Sequence, residues 1–351
     1  MSILQLYSFI FFGFVCGLIA LVLTYILSVT MRIMQDRTLT NKFKIHHHNT
    51  PRCGGIGIFL SLIVIAMAGI EIPKAIFDPL AGLHLYIACF IIMLSGTFKD
   101  SNRNPSIIIN ITMQTIGFLY FIFSFIFLVV DSVIISMLGI FVTLLFLFFT
   151  TNSINVIDGV NGNAIFYSII LLVSLCFVGY QLQINFVIFI CTILLGICFV
   201  FLLFNFPYGK MFLGDGGAFL LGFIIGALLF ICVWYFKLNF YYALTLFIYP
   251  LCEFIASICT RWRHIKSYSF AEIFIHLCEP NNYHLHFFFY AQFGHYGVLI
   301  LNSLCAIFIC FITLYYDNTL LLLLLGIGFC IIYMILFFSL RTKKLYLYNK
   351  A

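Results

Sequence analysis

Charge is scarce in this chain. Asp, Glu, Lys and Arg make up 8% of its 351 residues, against 64% apolar residues, and the mean hydropathy is +1.18. A globule of that composition has too little polar surface to stay in water, which leaves an integral membrane protein. Metal-type cysteine spacing is also missing. The thirteen cysteines include no Cys-x-x-Cys pair, and most, such as Cys89, Cys191, Cys198 and Cys305, fall inside apolar runs, where they read as packing residues. No basic stretch is interleaved with aromatics, so nucleic acid is not expected as a partner. No internal repeat, low-complexity stretch or Pro/Ser-rich linker divides the chain, and residues 1–351 read as one membrane-embedded domain. The first apolar run has no basic residue ahead of it and no small-residue cleavage site after it, so it is expected to stay as a helix.

Hydrocarbon-length sequence, in contrast, is abundant. A bilayer core of ~30 Å takes about twenty apolar residues per helix. Such runs lie near 5–29, 54–71, 84–98, 106–130, 132–150, 163–181, 185–205, 217–236, 239–259, 295–315 and 319–339, eleven in all. Lys and Arg collect on the cytoplasmic side of membrane proteins. With the N-terminus outside, fifteen of the 17 basic residues become cytoplasmic and only Lys74 and Lys237 remain outside. The expected fold is therefore an all-α polytopic membrane protein with a cytoplasmic C-terminus and its polar loops in the cytoplasm. The net charge of +6 then faces anionic lipid.

Those loops hold the residues able to do chemistry. His46-His-His-Asn-Thr-Pro-Arg52-Cys-Gly-Gly55 brings basic side chains to a Gly-Gly turn that opens a helix. Such a helix start can receive an anion, and it reads equally as a loop that only sets topology. Asp100 ends an apolar run, as a helix-end cap or as a carboxylate for a metal or a proton. Asn152, Asn155 and Asp158 recur every three residues and share one face of a helical end. Asp158-Gly159 and Asn161-Gly162 then break that helix. Phe212-Leu-Gly-Asp215-Gly-Gly217 opens the next helix with small residues that let a phosphate approach backbone N–H groups, beside an acid that can hold a cation. Phe212 is either a stacking platform or an interfacial anchor. Arg261, Arg263, His284 and His286 lie in the last long loop. Cationic side chains there suit phosphates. His-x-His also suits zinc if a third ligand comes from elsewhere, whereas the Asn and Asp oxygens favour magnesium. Glu253 is the one clear carboxylate within a span, unlike the mid-span acids of a carrier or pump.

In this order, Thr50-Pro-Arg-Cys-Gly-Gly55, Asp100, Asn152-x-x-Asn155-x-x-Asp158-Gly-x-Asn161-Gly162, Phe212-x-Gly-Asp215-x-Gly217 and His284-x-His286 resemble the polyprenyl-phosphate N-acetylhexosamine-1-phosphate transferases. Within that family the chain looks more like the bacterial undecaprenyl-phosphate GlcNAc-1-phosphate transferases, which start O-antigen and other surface glycans. Its peptidoglycan relative, phospho-MurNAc-pentapeptide translocase, typically has ten spans and a triple histidine in the last loop. The resemblance implies a multi-pass protein of the bacterial inner membrane. It also implies a UDP-N-acetylhexosamine donor, undecaprenyl phosphate as acceptor, UMP as leaving group, Mg²⁺ (or Mn²⁺) as cofactor, and room for a homodimer. By the same resemblance Asp215 and Asn155 would bind Mg²⁺, with Asp158 close to the metal or nucleotide. Phe212 and Asn161 would hold the uracil, and Asn152 would line the substrate site. Asp100 would lie beside the lipid phosphate as base or orienting group, and Arg52, Arg261, Arg263, His284 and His286 would contact diphosphate and sugar.

The chain departs from that pattern at three places. Lys99-Asp100 stands where many relatives have two acids, no basic residue follows closely in Pro105-Ser-Ile-Ile-Ile-Asn110, and Phe287 replaces the usual second terminal histidine. A nucleotide-sugar or lipid-glycan transporter and a catalytically inactive binding relative are the rival classes.

Overall fold

A computed structural model describes residues 3–36, 49–68, 79–101, 106–129, 137–262 and 284–348. The fold is all-α, and the chain is a polytopic membrane protein. Its helices are α1 (Ile3–Met31), α2 (Gly54–Met67), α3 (Pro79–Ser101), α4 (Ile107–Val129), α5 (Met137–Ile157), α6 (Asn163–Gln181), α7 (Asn185–Asn205), α8 (Gly214–Trp234), α9 (Phe240–Leu246), α10 (Ile248–Trp262), α11 (Leu285–Phe293), α12 (His295–Leu314) and α13 (Thr319–Tyr348). A two-residue antiparallel pair, β1 (Gln35–Asp36) with β2 (Thr50–Pro51), precedes α2.

Ten of the eleven expected spans each overlap one of these helices, and the eleventh, 239–259, overlaps two. Among the described residues, nine helices are long and apolar enough to cross a membrane, or ten if the bent pair of helices near residues 240–262 is one span. Two of the expected spans differ from simple rods. Residues 54–71 yield a described helix of only 14 residues, α2, which at 1.5 Å per residue reaches ~21 Å. Residues 239–259 break into α9 and α10, bent by 63°. The break has a local cause, because Pro250 lacks an N–H and its ring crowds the carbonyl four residues back, at Leu246.

The bundle is built around α8, whose apolar stretch is 94% buried and which packs on α3, α5 and α2. With lipid outside, apolar transfer alone cannot hold helices together, so small residues that admit close backbone approach carry the contact. A Cβ on Gly222 or Gly226 of α8 would run into Thr150 and Thr151 of α5, and one on Gly196 of α7 would meet the α1 backbone at Ile10. Outward faces of α1, α12 and α13 show Leu4, Leu23, Ile307, Leu324 and Ile335, as lipid contact requires.

Candidate active site

Five chain segments meet at one end of this bundle, where α3 and α5 finish and α2, α6 and α8 begin. Gly54 and Gly55 N–H groups donate to the Phe212 and Leu213 carbonyls at 3.0 Å each, and Phe212 N–H donates to Pro51 O at 2.9 Å. Gly55 and Gly96 both lie on the backbone of 215–217, where any Cβ would collide. The first, second and fourth polar loops are thereby clamped together by glycine.

Asp215 opens α8 and is held from two sides. Asn155 Nδ2 donates to its Oδ1 at 2.9 Å, and Lys99 Nζ forms an ion pair with its Oδ2. Asp100, one residue on, has a side chain only 1% exposed. Its Oδ1 faces Arg52 Nη1 at 3.4 Å, and its Oδ2 accepts the Gly216 N–H at 3.2 Å. The Asp215 side chain is 22% exposed, so of these two carboxylates it is the one open to a diffusing ligand. Asp158 follows the end of α5, and its carboxylate makes no hydrogen bond or salt bridge among the described residues. Burial first, then the negative charges of Asp215 and Asp100, raise its pKa well above the usual carboxylate range, with Arg52 opposing. Burial pushes the Cys53 thiol up to about 11, which leaves it an inert neighbour rather than a nucleophile.

A second group lies against the third loop. Asn161 Nδ2 donates to Pro207 O at 3.1 Å, Gly162 N–H to Asn205 Oδ1 at 2.6 Å, and Asn205 Nδ2 to Met211 O at 2.9 Å. Gly162 takes φ +87° at the start of α6, a left-handed conformation suited to glycine. Asn161 and Phe212 converge on Gly209, where a Cβ would lie 2.6 Å from Asn161 Nδ2 and 3.0 Å from the Phe212 ring. Asn163 stiffens the base of this turn. It donates to Ile157 O at 2.9 Å and to Tyr249 OH at 3.2 Å, and accepts from Asn302 Nδ2 at 2.9 Å.

The histidines reach the same end through Glu253. Fully buried on α10, its carboxylate accepts from His284 Nδ1 at 3.0 Å, Leu285 N–H at 3.2 Å, His286 N–H at 3.3 Å and His286 Nδ1 at 3.2 Å. Those contacts place Nδ1–H on both rings and aim the His286 Nε2 edge at Gly159, where a Cβ would lie 2.6 Å from it. Glu253 is therefore not an isolated mid-span charge. Among the described residues, Glu253, His284 and His286 are the only His/Cys/Asp/Glu triad whose ligating atoms lie within 4.8 Å of one another. Four N–H donors satisfy the carboxylate without a metal.

The donors around Asp215 are all oxygen or amide, the type that hard cations take. Magnesium characteristically uses one or two carboxylates and completes its shell with water and substrate phosphate. Asp215, with Asp158 and Asn155 nearby in the fold, fits that pattern, although Lys99 occupies one Asp215 oxygen.

Most of the candidate residues named from sequence thus come together at this end. Asn152 turns to α4, donating to Gln114 Oε1 at 2.9 Å. Arg261 ends α10, two turns beyond Glu253. Arg263 lies outside the described residues. Sequence reading missed the roles of Lys99 and Glu253. Lys99 was visible only as a departure from a pattern, and the one hint at Glu253 was an acid surviving in an apolar run.

Residues 122–233 match the glycosyl transferase family 4 model. That segment runs from α4 to α8 and carries Asn155, Asp158, Asn161, Phe212 and Asp215, whereas Arg52, Asp100, Glu253 and both histidines are brought to it by the fold. Over 192 residues the chain is 25% identical to a probable undecaprenyl-phosphate N-acetylglucosaminyl 1-phosphate transferase of Bacillus subtilis (strain 168), covering 53% of this chain and 52% of that relative. The chain thus spans about half the length of the curated relative it matches.

Proposed function

We propose that the chain, which matches the glycosyl transferase family 4 model over residues 122–233 and is similar to the Bacillus subtilis relative, transfers an N-acetylhexosamine-1-phosphate from a UDP-sugar to a polyprenyl phosphate in the bacterial inner membrane, the first step of O-antigen or another surface glycan. The observation that carries this reading is Asp215, an accessible carboxylate at a Gly-lined helix start, steadied by Asn155 and backed by Asp158.

A phosphate oxygen of the lipid attacks the phosphorus that bears the sugar, and the bond from that phosphorus to the UMP oxygen breaks, with UMP leaving as the anion. A lipid monophosphate has its second pKa near 6 and is largely ionised at neutral pH, so a strong base is not required. Asp100 suits an orienting role better than a base, since Arg52 and the Gly216 N–H already engage its two oxygens. Phe212 and Asn161, grouped around Gly209, offer a ring and an amide to a uracil. His286, fixed by Glu253, turns its outer edge to Gly159, where in its doubly protonated form it can donate from Nε2 to a diphosphate, and His284 is held beside it by the same carboxylate. A bound Mg²⁺ would supply charge neutralisation of the leaving diphosphate, held by Asp215 with Asn155 or Asp158. The remaining rate comes from positioning.

Phospho-MurNAc-pentapeptide translocase belongs to the same family and differs in donor, and Phe287 in place of a further histidine disfavours it. The transporter reading gains little from the α9–α10 bend, which Pro250 explains and which carries Glu253 to the histidines. The test is organic-phase extraction of labelled sugar after incubating the purified protein with undecaprenyl phosphate, Mg²⁺ and each of several UDP-N-acetylhexosamines. One donor should label the lipid, and Asp215→Ala should abolish it; lipid labelling unaffected by that substitution would remove Asp215 from the mechanism.

A further inference from the structure

Asp215 already carries a cation of the protein's own. Lys99 ends α3 in its last turn, where extension into water would be open to a long side chain. Its side chain is instead only 36% exposed, with Nζ on Asp215 Oδ2 and 5.7 Å from the centroid of the Phe219 ring. The cause is the clamp between α3 and α8. Gly96 lies on the Asp215–Gly216 backbone, and Asp100 takes the Gly216 N–H, which leaves residue 99 beside Asp215.

Resting on the transferase reading above, we propose that Lys99 is the resident counter-cation of Asp215 in the ligand-free protein, and that a divalent cation must displace it to bind there. The charges argue the same way. Asp100, Asp158 and Asp215 face Arg52 and Lys99, so the cluster holds one negative charge in excess when all are ionised. An uncharged residue at 99 would leave two, and an acid, as in many members of the resembled family, would leave three. The attraction for a free divalent ion is therefore weaker in this chain than its carboxylates alone would give. Once displaced, the ammonium is free to pair with a donor phosphate, so the cation and the nucleotide sugar bind cooperatively.

Direct Mn²⁺ titration of the purified full chain, with free Mn²⁺ read by electron paramagnetic resonance, tests this without turnover. Lys99→Met should bind Mn²⁺ on the order of tenfold more tightly than wild type, Lys99→Arg should stay near wild type, and Asp215→Asn should lose binding. Lys99→Gln replaces the Met variant if the latter does not remain monodisperse. Equal affinity in wild type and the neutral variants, with Asp215 still required, overturns the role of Lys99 and leaves the transferase reading standing. Mn²⁺ binding that Asp215→Asn does not diminish, or none in any variant, overturns the cation site as well.

Discussion

Glu253 accepts a hydrogen bond from His286 Nδ1 at 3.2 Å, across 33 residues of sequence and with both side chains buried. The same carboxylate takes His284, so one acid on a proline-bent helix fixes the orientation of two imidazoles. Removing a partner from a buried charge network typically costs about 3–5 kcal/mol.

The first prediction concerns that network. Glu253→Gln keeps the shape but places an amide NH₂ against a ring N–H. It should lower activity by about 10–100-fold, in the range of lost ligand-orienting contacts, together with thermal stability. His286→Gln leaves Glu253 three of its four donors and should lose activity with a smaller drop in melting temperature. Equal stability losses in both variants, with activity retained, would make the cluster structural only.

Phe212 and Asn161 supply the second. Base–aromatic stacking is worth about 1–3 kcal/mol by alanine substitution, so Phe212→Ala should raise the KM for the UDP-sugar by about 5–150-fold with kcat little changed, the pattern of lost uniform binding. Phe212→Tyr should stay near wild type. Steady-state kinetics at saturating lipid phosphate decides between this and an interfacial anchor, which would leave the donor KM unmoved.

Gly209 gives the third. Its φ is +58° and a Cβ would press on both Asn161 and Phe212. Gly209→Ala carries about 1–2 kcal/mol of left-handed strain and should weaken donor binding more than lipid binding. Calorimetry with UDP-sugar checks this.

How much of this was legible without coordinates follows from where the partners lie. The Asn155, Asp158 and Asn161 turn announced itself through helical spacing broken by glycines, and the Asp215 turn through its small residues, because both signals are local. The span pattern was legible for the same reason, since hydrocarbon thickness dictates run length. Lys99 with Asp215, and Glu253 with His284 and His286, are pairings between distant segments, and no local pattern encodes them. The α9–α10 bend was hidden because its residues remain apolar through the break. Only Pro250 marked it.

Asp158 allows a prediction in pH. Its pKa is raised by burial and by Asp215 and Asp100, so the folded state favours the protonated acid. The stabilisation is full below the ordinary value near 3.9 and is lost as pH rises through the raised folded value. In EDTA, Asp158→Asn should therefore melt higher than wild type at pH 7.5, with the gap closing toward pH 4, while its transferase activity falls. A gap independent of pH would contradict the half-buried, like-charged environment.

The most direct test of the central claim follows the β-phosphate of the donor. With UDP-N-acetylglucosamine labelled with ³²P at that phosphorus, or whichever N-acetylhexosamine donor labels the lipid, transfer of a sugar phosphate sends the label into the undecaprenyl lipid and releases unlabelled UMP in equal amount. Asp215→Ala abolishes both. Label that remains in released UDP while the sugar reaches the lipid would mean glycosyl rather than phosphosugar transfer, and would contradict the assignment of Asp215 and its neighbours to diphosphate cleavage.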